Sequence, residues 1–118
     1  MVVNLVSTHR MKLKNKPFTM IKIGRKNIEL RLYDEKRRKL NIDDEIIFQN
    51  IEDGETISVT VLALHKYESF TELYKHFDKV AMGYEDDEIA NPDDMNEYYS
   101  PEKQKQYGVV GIEILLNK

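Results

Sequence analysis

Apolar and polar residues alternate near the start of the chain. His9, Met11 and Leu13 interleave with Arg10 and Lys12, and this period of two predicts a first strand. The spacing then turns helical. Asn15 or Lys16 can cap a short helix with Pro17 in its first turn; that helix would bury Phe18, Met20, Ile21 and Ile23 and stop at Gly24. Ile28, Leu30 and Leu32 alternate with Asn27, Glu29 and Arg31, which predicts a half-buried strand. The charged stretch from Asp34 to Leu40 reads as a solvated turn or short helix.

Two further strands, Glu45 to Ile51 and Thr56 to Leu64, flank Asp53-Gly54, a strong hairpin signal. Ser69-Phe-Thr-Glu72 matches a capping box, and Phe70, Leu73, Tyr74 and Phe77 follow at helical spacing, so a second helix is expected with its aromatics in the core. Residues 85–94 are acidic and irregular. Ser100-Pro101-Glu102 opens a third helix reaching about Tyr107, and Val109 to Leu116 closes the chain as an apolar strand. Gly111 marks a bulge or a close backbone approach in it. Five to six strands with about three short helices, joined by hairpins and short crossovers, favour an α+β fold built on a small mixed β-barrel. Closing the sheet would remove its edges.

At 118 residues the chain is expected to form a single domain, 1–118. Folding would bury about two thirds of the unfolded surface, enough for one core without staples. With no cysteine there is no disulfide framework, thiolate metal site or Cys nucleophile, and His9, His65 and His76 share no close ligand spacing. No metal and no cofactor is expected. No run is long and apolar enough for a membrane span, and no apolar leader opens the chain, so a cytoplasmic protein is anticipated.

Charge changes the picture more. Arg10 to Lys39 holds twelve Lys/Arg against three acids, while Leu40 to Lys118 holds six against eighteen. A basic third on an acidic body points to an anion-facing side, unless folding interleaves the two. The candidate chemistry lies in Gly24-Arg-Lys-Asn-Ile-Glu-Leu-Arg31. With Ile28, Leu30 and Leu32 on one face, Glu29 and Arg31 share the other, and Lys26 leans over it from the preceding turn. Arg31 suits bidentate contact with phosphate or carboxylate. Glu29 can accept from a base amino group or act as a general base. As a bare pattern, Glu-x-Arg on a strand is most often a surface ion pair.

The run Pro17-Phe18 … Ile23-Gly24-x-Lys26-x-Ile28-Glu29-x-Arg31 … Asp34-x-Lys36-Arg37 … Asp44 resembles the ASCH domain signature of the PUA-like superfamily. Tyr67-x-Ser69-Phe70-x-x-Leu73, Tyr98-Tyr99-Ser100 and Tyr107 to Ile112 resemble one ASCH subgroup, so the similarity runs from His9 to Leu116. The usual glycine before Asp44 is Asp43 here. The resemblance implies a PUA-like barrel whose cleft is lined by the motif's lysine, glutamate and arginine, matched by Lys26, Glu29 and Arg31. It also implies RNA or nucleotide binding. One branch of the superfamily consists of amidohydrolases that deacetylate acetylated cytidine, using a lysine and a threonine. Lys26 matches that lysine, but Glu29 stands where the threonine would be, and a carboxylate is not an equivalent acyl acceptor. The nearest counterpart of that branch's later glutamate lies within Glu85 to Glu88.

The expected function is thus an RNA- or nucleotide-binding module with a basic cleft, its contacts supplied by Lys26, Glu29, Arg31, Arg25, Arg37 and Tyr99. The alternative is a hydrolase of a modified nucleoside or of RNA, with Lys26 and Glu29 transferring protons. A third reading gives the acidic loop, 85–94, a protein partner. One of Tyr98 and Tyr99 should pack inward while the other faces a base. His9 is expected to be a hydrogen-bonded strand residue, with His65 and His76 near the surface.

Overall fold

A computed structural model describes residues 5–118; the first four residues of the expected single domain lie outside the described part. Five strands appear: β1 (Thr8–Leu13), β2 (Ile28–Leu32), β3 (Glu45–Asn50), β4 (Thr56–Tyr67) and β5 (Val109–Leu116). Three α-helices accompany them: α1 (Asn15–Lys22), α2 (Phe70–Tyr74) and α3 (Pro101–Tyr107), with 3-10 turns at Arg37–Lys39 and Pro92–Glu97. The strands form one sheet in the order β1-β3-β4-β5-β2, with β1 parallel to β3 and every other pair antiparallel. The sheet curls into a half-barrel, the α+β architecture the alternation predicts. A register shift between Val61 and Ala63 interrupts the β4–β5 ladder, and such irregularities add local twist.

The curl does not close by hydrogen-bonded strand pairing, so β1 and β2 remain edges. Two cations cross the gap instead: Arg31 Nη2 donates to the Lys12 carbonyl at 3.0 Å, and Lys36 Nζ donates to the Arg10 carbonyl at 3.1 Å. Charged side chains on the carbonyls of an edge strand protect it from pairing elsewhere.

Both faces of the sheet carry a core. Inside the curl, Met11, Leu13, Phe48, Val61, Val110 and Ile112 pack against Phe18 and Ile21 of α1. On the outer face, Ile28, Leu30, Leu32 and Val109 pack beneath Phe70 and Leu73 of α2, with Met82 and Met95. This explains why β5 reads as a continuous apolar run: Val109 serves one layer and Val110 the other. At Gly111 a Cβ would stand 3.2 Å from Ile28 Cγ2, so this glycine marks a close approach rather than a bulge.

Three local expectations are corrected. β2 is buried on both sides, not half-buried, because its second face lines the mouth of the curl instead of solvent. Lys14 occupies the N-cap of α1 and no side chain caps it; Asn15 Oδ1 instead accepts from Asn50 Nδ2 at 2.9 Å. Ile23 is 60% exposed, because the helix ends at Lys22 and the Gly24 N–H turns back to the Ile21 carbonyl at 3.0 Å.

Asp43, where the signature the chain resembles has glycine, has φ +79°, the left-handed backbone that favours glycine and that Asp tolerates better than most residues. Asp44 is buried and accepts from the Ser7 N–H at 3.0 Å, the Asn41 N–H at 3.0 Å and His9 Nε2 at 2.8 Å. Burial works against its charge, but these donors outweigh it and hold the carboxyl below its ordinary range. A depressed carboxylate pKa stabilises the fold above the unfolded value, and this contribution is lost as pH falls through the folded one. Asp44→Asn is therefore expected to cost about 1–3 kcal/mol at neutral pH. In urea unfolding, the gap from the unmodified chain should close below about pH 4.

Candidate functional site

The end of α1 sets the position of the motif lysine. Gly24 adopts φ +84°, and the N–H groups of Arg25 and Lys26 both turn back onto the Met20 carbonyl, at 2.9 and 3.0 Å. A hook at residues 81–83 then captures the chain. The Asn27 and Ile28 N–H groups both donate to the Ala81 carbonyl at 3.0 Å, and Lys26 Nζ donates to the Met82 carbonyl at 2.7 Å. Gly83, at φ +108°, closes over the lysine stem: a Cβ there would stand 3.0 Å from Lys26 Cδ and 3.3 Å from Nζ.

Glu29 lies between two cations. Its Oε1 is 3.3 Å from Lys26 Nζ, and its Oε2 accepts from Arg31 Nε at 2.7 Å. Lys26 and Glu29 are both almost fully buried, and Arg31 is nearly so. Burial pushes the Glu29 carboxyl up, yet Arg31 and Lys26 outweigh it and hold the group below its ordinary value. Burial pushes the Lys26 ammonium down, opposed by Glu29. For Arg31 the same burial is overcome by Glu29 and the Tyr99 hydroxyl, and the guanidinium is held above its ordinary value. Two cations therefore share one carboxylate, leaving a positive charge without a protein counterion in a poorly hydrated place.

The trio lies at the floor of a cleft of about 560 Å³, within the range of small-molecule sites. It is lined by Lys12, Lys14 and Lys16, by Tyr74, Met82 and Tyr84, and by Glu97, Tyr98 and Tyr99. Tyr84 donates to Asp94 Oδ2 at 2.7 Å and shares a 2.9 Å hydrogen bond with the Tyr74 hydroxyl; burial first, then these partners, keep it protonated. The lining is mixed in sign, with its cations concentrated along β1 and the start of α1.

Lys26, Glu29, Arg31 and Tyr99 thus meet at one cleft, while Arg25 and Arg37 do not. Arg25 points to Asp86 at 3.3 Å, and Arg37 is held by Asp34 at 3.1 Å. Tyr99 is the inward tyrosine, stacked on Phe70 at 6.2 Å between centroids. Tyr98 is the exposed one, with Lys14 Nζ 5.0 Å above its ring. Glu88, in the segment offered as the nearest counterpart of the hydrolase branch's later glutamate, lines the cleft but is bound to Lys16 at 2.8 Å. The acidic loop spends much of its charge internally, through Lys16 to Glu85 and Glu88 and through Arg25 to Asp86. Lys12, Lys14, Lys16 and the 81–83 hook are site elements the sequence reading missed. The cations at 10, 12, 14 and 16 recur at every second residue, a signal that was present.

A curled, incompletely closed five-stranded sheet with short helices is the α+β architecture of a PUA-like barrel. Within that class the chain belongs to the ASCH domain family, whose profile matches residues 11–117. It is similar to the crystal structure of hypothetical protein PH0355, at 33% identity and a TM-score of 0.79, covering 93% of this chain and 99% of that one. It is also similar to the solution structure of protein PF0455 from Pyrococcus furiosus, at 34% identity and a TM-score of 0.68, covering 94% and 98%. A mutant ZmASCH protein from Zymomonas mobilis shares the fold at 12% identity and a TM-score of 0.63, covering 94% of this chain and 68% of that one. No curated protein matches the chain. Among the described residues, no helix is long and apolar enough to cross a membrane, and no three His, Cys, Asp or Glu side chains gather to hold a metal.

The hook yields a direct test. Gly83→Ala meets both left-handed backbone and the Lys26 side chain, whereas Gly24→Ala meets only the backbone, with nothing within 4 Å. Gly83→Ala should therefore destabilise by about 1–3 kcal/mol. Denaturant unfolding should place it roughly 1 kcal/mol or more below Gly24→Ala, and equal losses would contradict the packing described.

Proposed function

We propose that this protein is an RNA- or nucleotide-binding module whose ligand enters the cleft above Lys26, Glu29 and Arg31. The observation that carries this reading is the unbalanced buried charge. Two cations on one carboxylate are costly to bury, and an oxygen-rich anionic or carbonyl-bearing ligand relieves that cost. Lys12 and Lys14 supply a positive wall for phosphates. Tyr98 offers an exposed ring on which an unpaired base can stack. The family's association with RNA, implied by the motif resemblance, points the same way.

Glu29 fits binding better than base catalysis, because both its oxygens are engaged and its pKa is held down. A second reading, a hydrolase of a modified nucleoside or of RNA, draws on Lys26, whose burial favours the neutral amine. It requires Lys26 rather than Glu29 to move the proton.

The test is fluorescence anisotropy with short single-stranded RNAs and nucleotides over a salt series, alongside mass analysis for product. Lys26→Ala should weaken binding by roughly 1.5–3 kcal/mol. Joint Lys12→Ala and Lys14→Ala should flatten the logarithmic salt slope by about 0.7 for each phosphate left without its lysine. Binding insensitive to salt and to Lys26→Ala would overturn the assignment. Product from acetylated cytidine or RNA, abolished in Lys26→Ala and retained in Glu29→Gln, would favour the hydrolase.

A further inference from the structure

The open edge of β2 presents a recognition pattern of its own. In an antiparallel ladder, alternate residues give both main-chain groups to the partner strand and the residues between them face away. The Ile114 N–H donates to the Asn27 carbonyl at 2.9 Å, and the Tyr33 N–H donates to the Gly108 carbonyl at 3.0 Å. With Ile28 opposite Glu113 and Leu32 opposite Val109, the β5-facing set is therefore Asn27, Glu29, Arg31 and Tyr33. Ile28, Leu30 and Leu32 direct their main-chain groups to the open edge. At Ile28 the 81–83 hook covers that edge, since the Ile28 N–H meets the Ala81 carbonyl. Among the described residues, the N–H and C=O of Leu30 have no such partner.

The cleft reaches this bare step. Glu29, Leu30 and Arg31 all line it, although Leu30 points to the opposite face from its neighbours, so the cleft looks onto the strand's edge. Arg31 also crosses in front of that edge, because its guanidinium runs from Glu29 to the Lys12 carbonyl of β1 across the gap. Among the described residues no carbonyl or carboxylate takes its Nη1, and the Tyr99 hydroxyl lies beside the guanidinium. Read along β2, the order is a donor (Leu30 N–H), an acceptor (Leu30 C=O) and a cationic donor (Arg31).

Resting on the RNA- or nucleotide-binding reading, we infer that this edge reads the imide of a uracil base. The acceptor–donor–acceptor order of C=O, N–H and C=O complements the edge, with N3–H donating to the Leu30 carbonyl and the flanking carbonyls taking the Leu30 N–H and Arg31. Glu29 enforces the choice indirectly. With both oxygens given to cations, it offers no free carboxylate to the amino groups of cytosine, adenine or guanine. A cytosine that donates its amino group to the Leu30 carbonyl offers N3 on one side only and a C–H on the other, so either the Leu30 N–H or Arg31 is left without an acceptor.

The test leaves the protein unaltered and changes the ligand. Six-nucleotide RNAs of uridine, cytidine and adenosine are compared by anisotropy with uridine hexamers carrying 3-methyluridine or 5-methyluridine. The uridine hexamer should bind tightest, N3 methylation should weaken it about tenfold or more, and C5 methylation should leave it nearly unchanged. Equal affinity for all three bases and no N3 effect would overturn the uracil inference while leaving RNA binding intact. Binding of no RNA and no uridine nucleotide would overturn the functional reading beneath it.

Discussion

The Glu29 carboxylate is the interaction on which the site depends. Through Lys26 it holds the end of α1 to the hook at residues 81–83, and through Arg31 it holds β2 against the carbonyl edge of β1. Without it, two cations would face each other in a place that solvates charge poorly, and removing one partner of a buried pair is commonly a multi-kcal/mol loss. The ion trio therefore does in polar form what a sixth strand would do with hydrogen bonds: it closes the curl while keeping its mouth accessible.

The mouth collects charge because β2 is buried on both of its faces. A sheet with one solvated face could drain charged side chains toward water. Here the inner core under α1 and the outer core under α2 leave Glu29 and Arg31 no direction but the gap between the edge strands. The cations of β1 stand on the far side of that gap, so the basic third of the chain is partly spent on the acidic loop and partly gathered at the cleft.

Much of this was legible from local pattern. Period-two alternation placed β1 and β2, Asp53-Gly54 placed the β3–β4 hairpin, and Ser69 and Ser100 accept from Glu72 and Lys103 N–H groups as capping residues should. The motif spacing put Lys26, Glu29 and Arg31 within reach of one another. What sequence could not supply were facts created by chain segments far apart. Nothing near Ile28 announces a second core, so its strand read as half-buried. Nothing near Lys26 announces that a carbonyl from Met82 will accept from it, and Gly83 reads as an ordinary loop glycine until that ammonium lies beneath it. Ile23 erred locally: its apolar spacing continued the helix, but the left-handed turn at Gly24 ended it earlier.

The strand that carries the motif pairs only with the strand at the far end of the chain, Ile28 opposite Glu113. Loop closure over such a separation must precede the contacts that reward it, and topologies dominated by distant pairings fold slowly. The N-terminal half can form the β3–β4 hairpin early, but β2 has no ladder until β5 has been synthesised and docked. The charged trio thus matures last, and a chain still being synthesised has no assembled cleft to present.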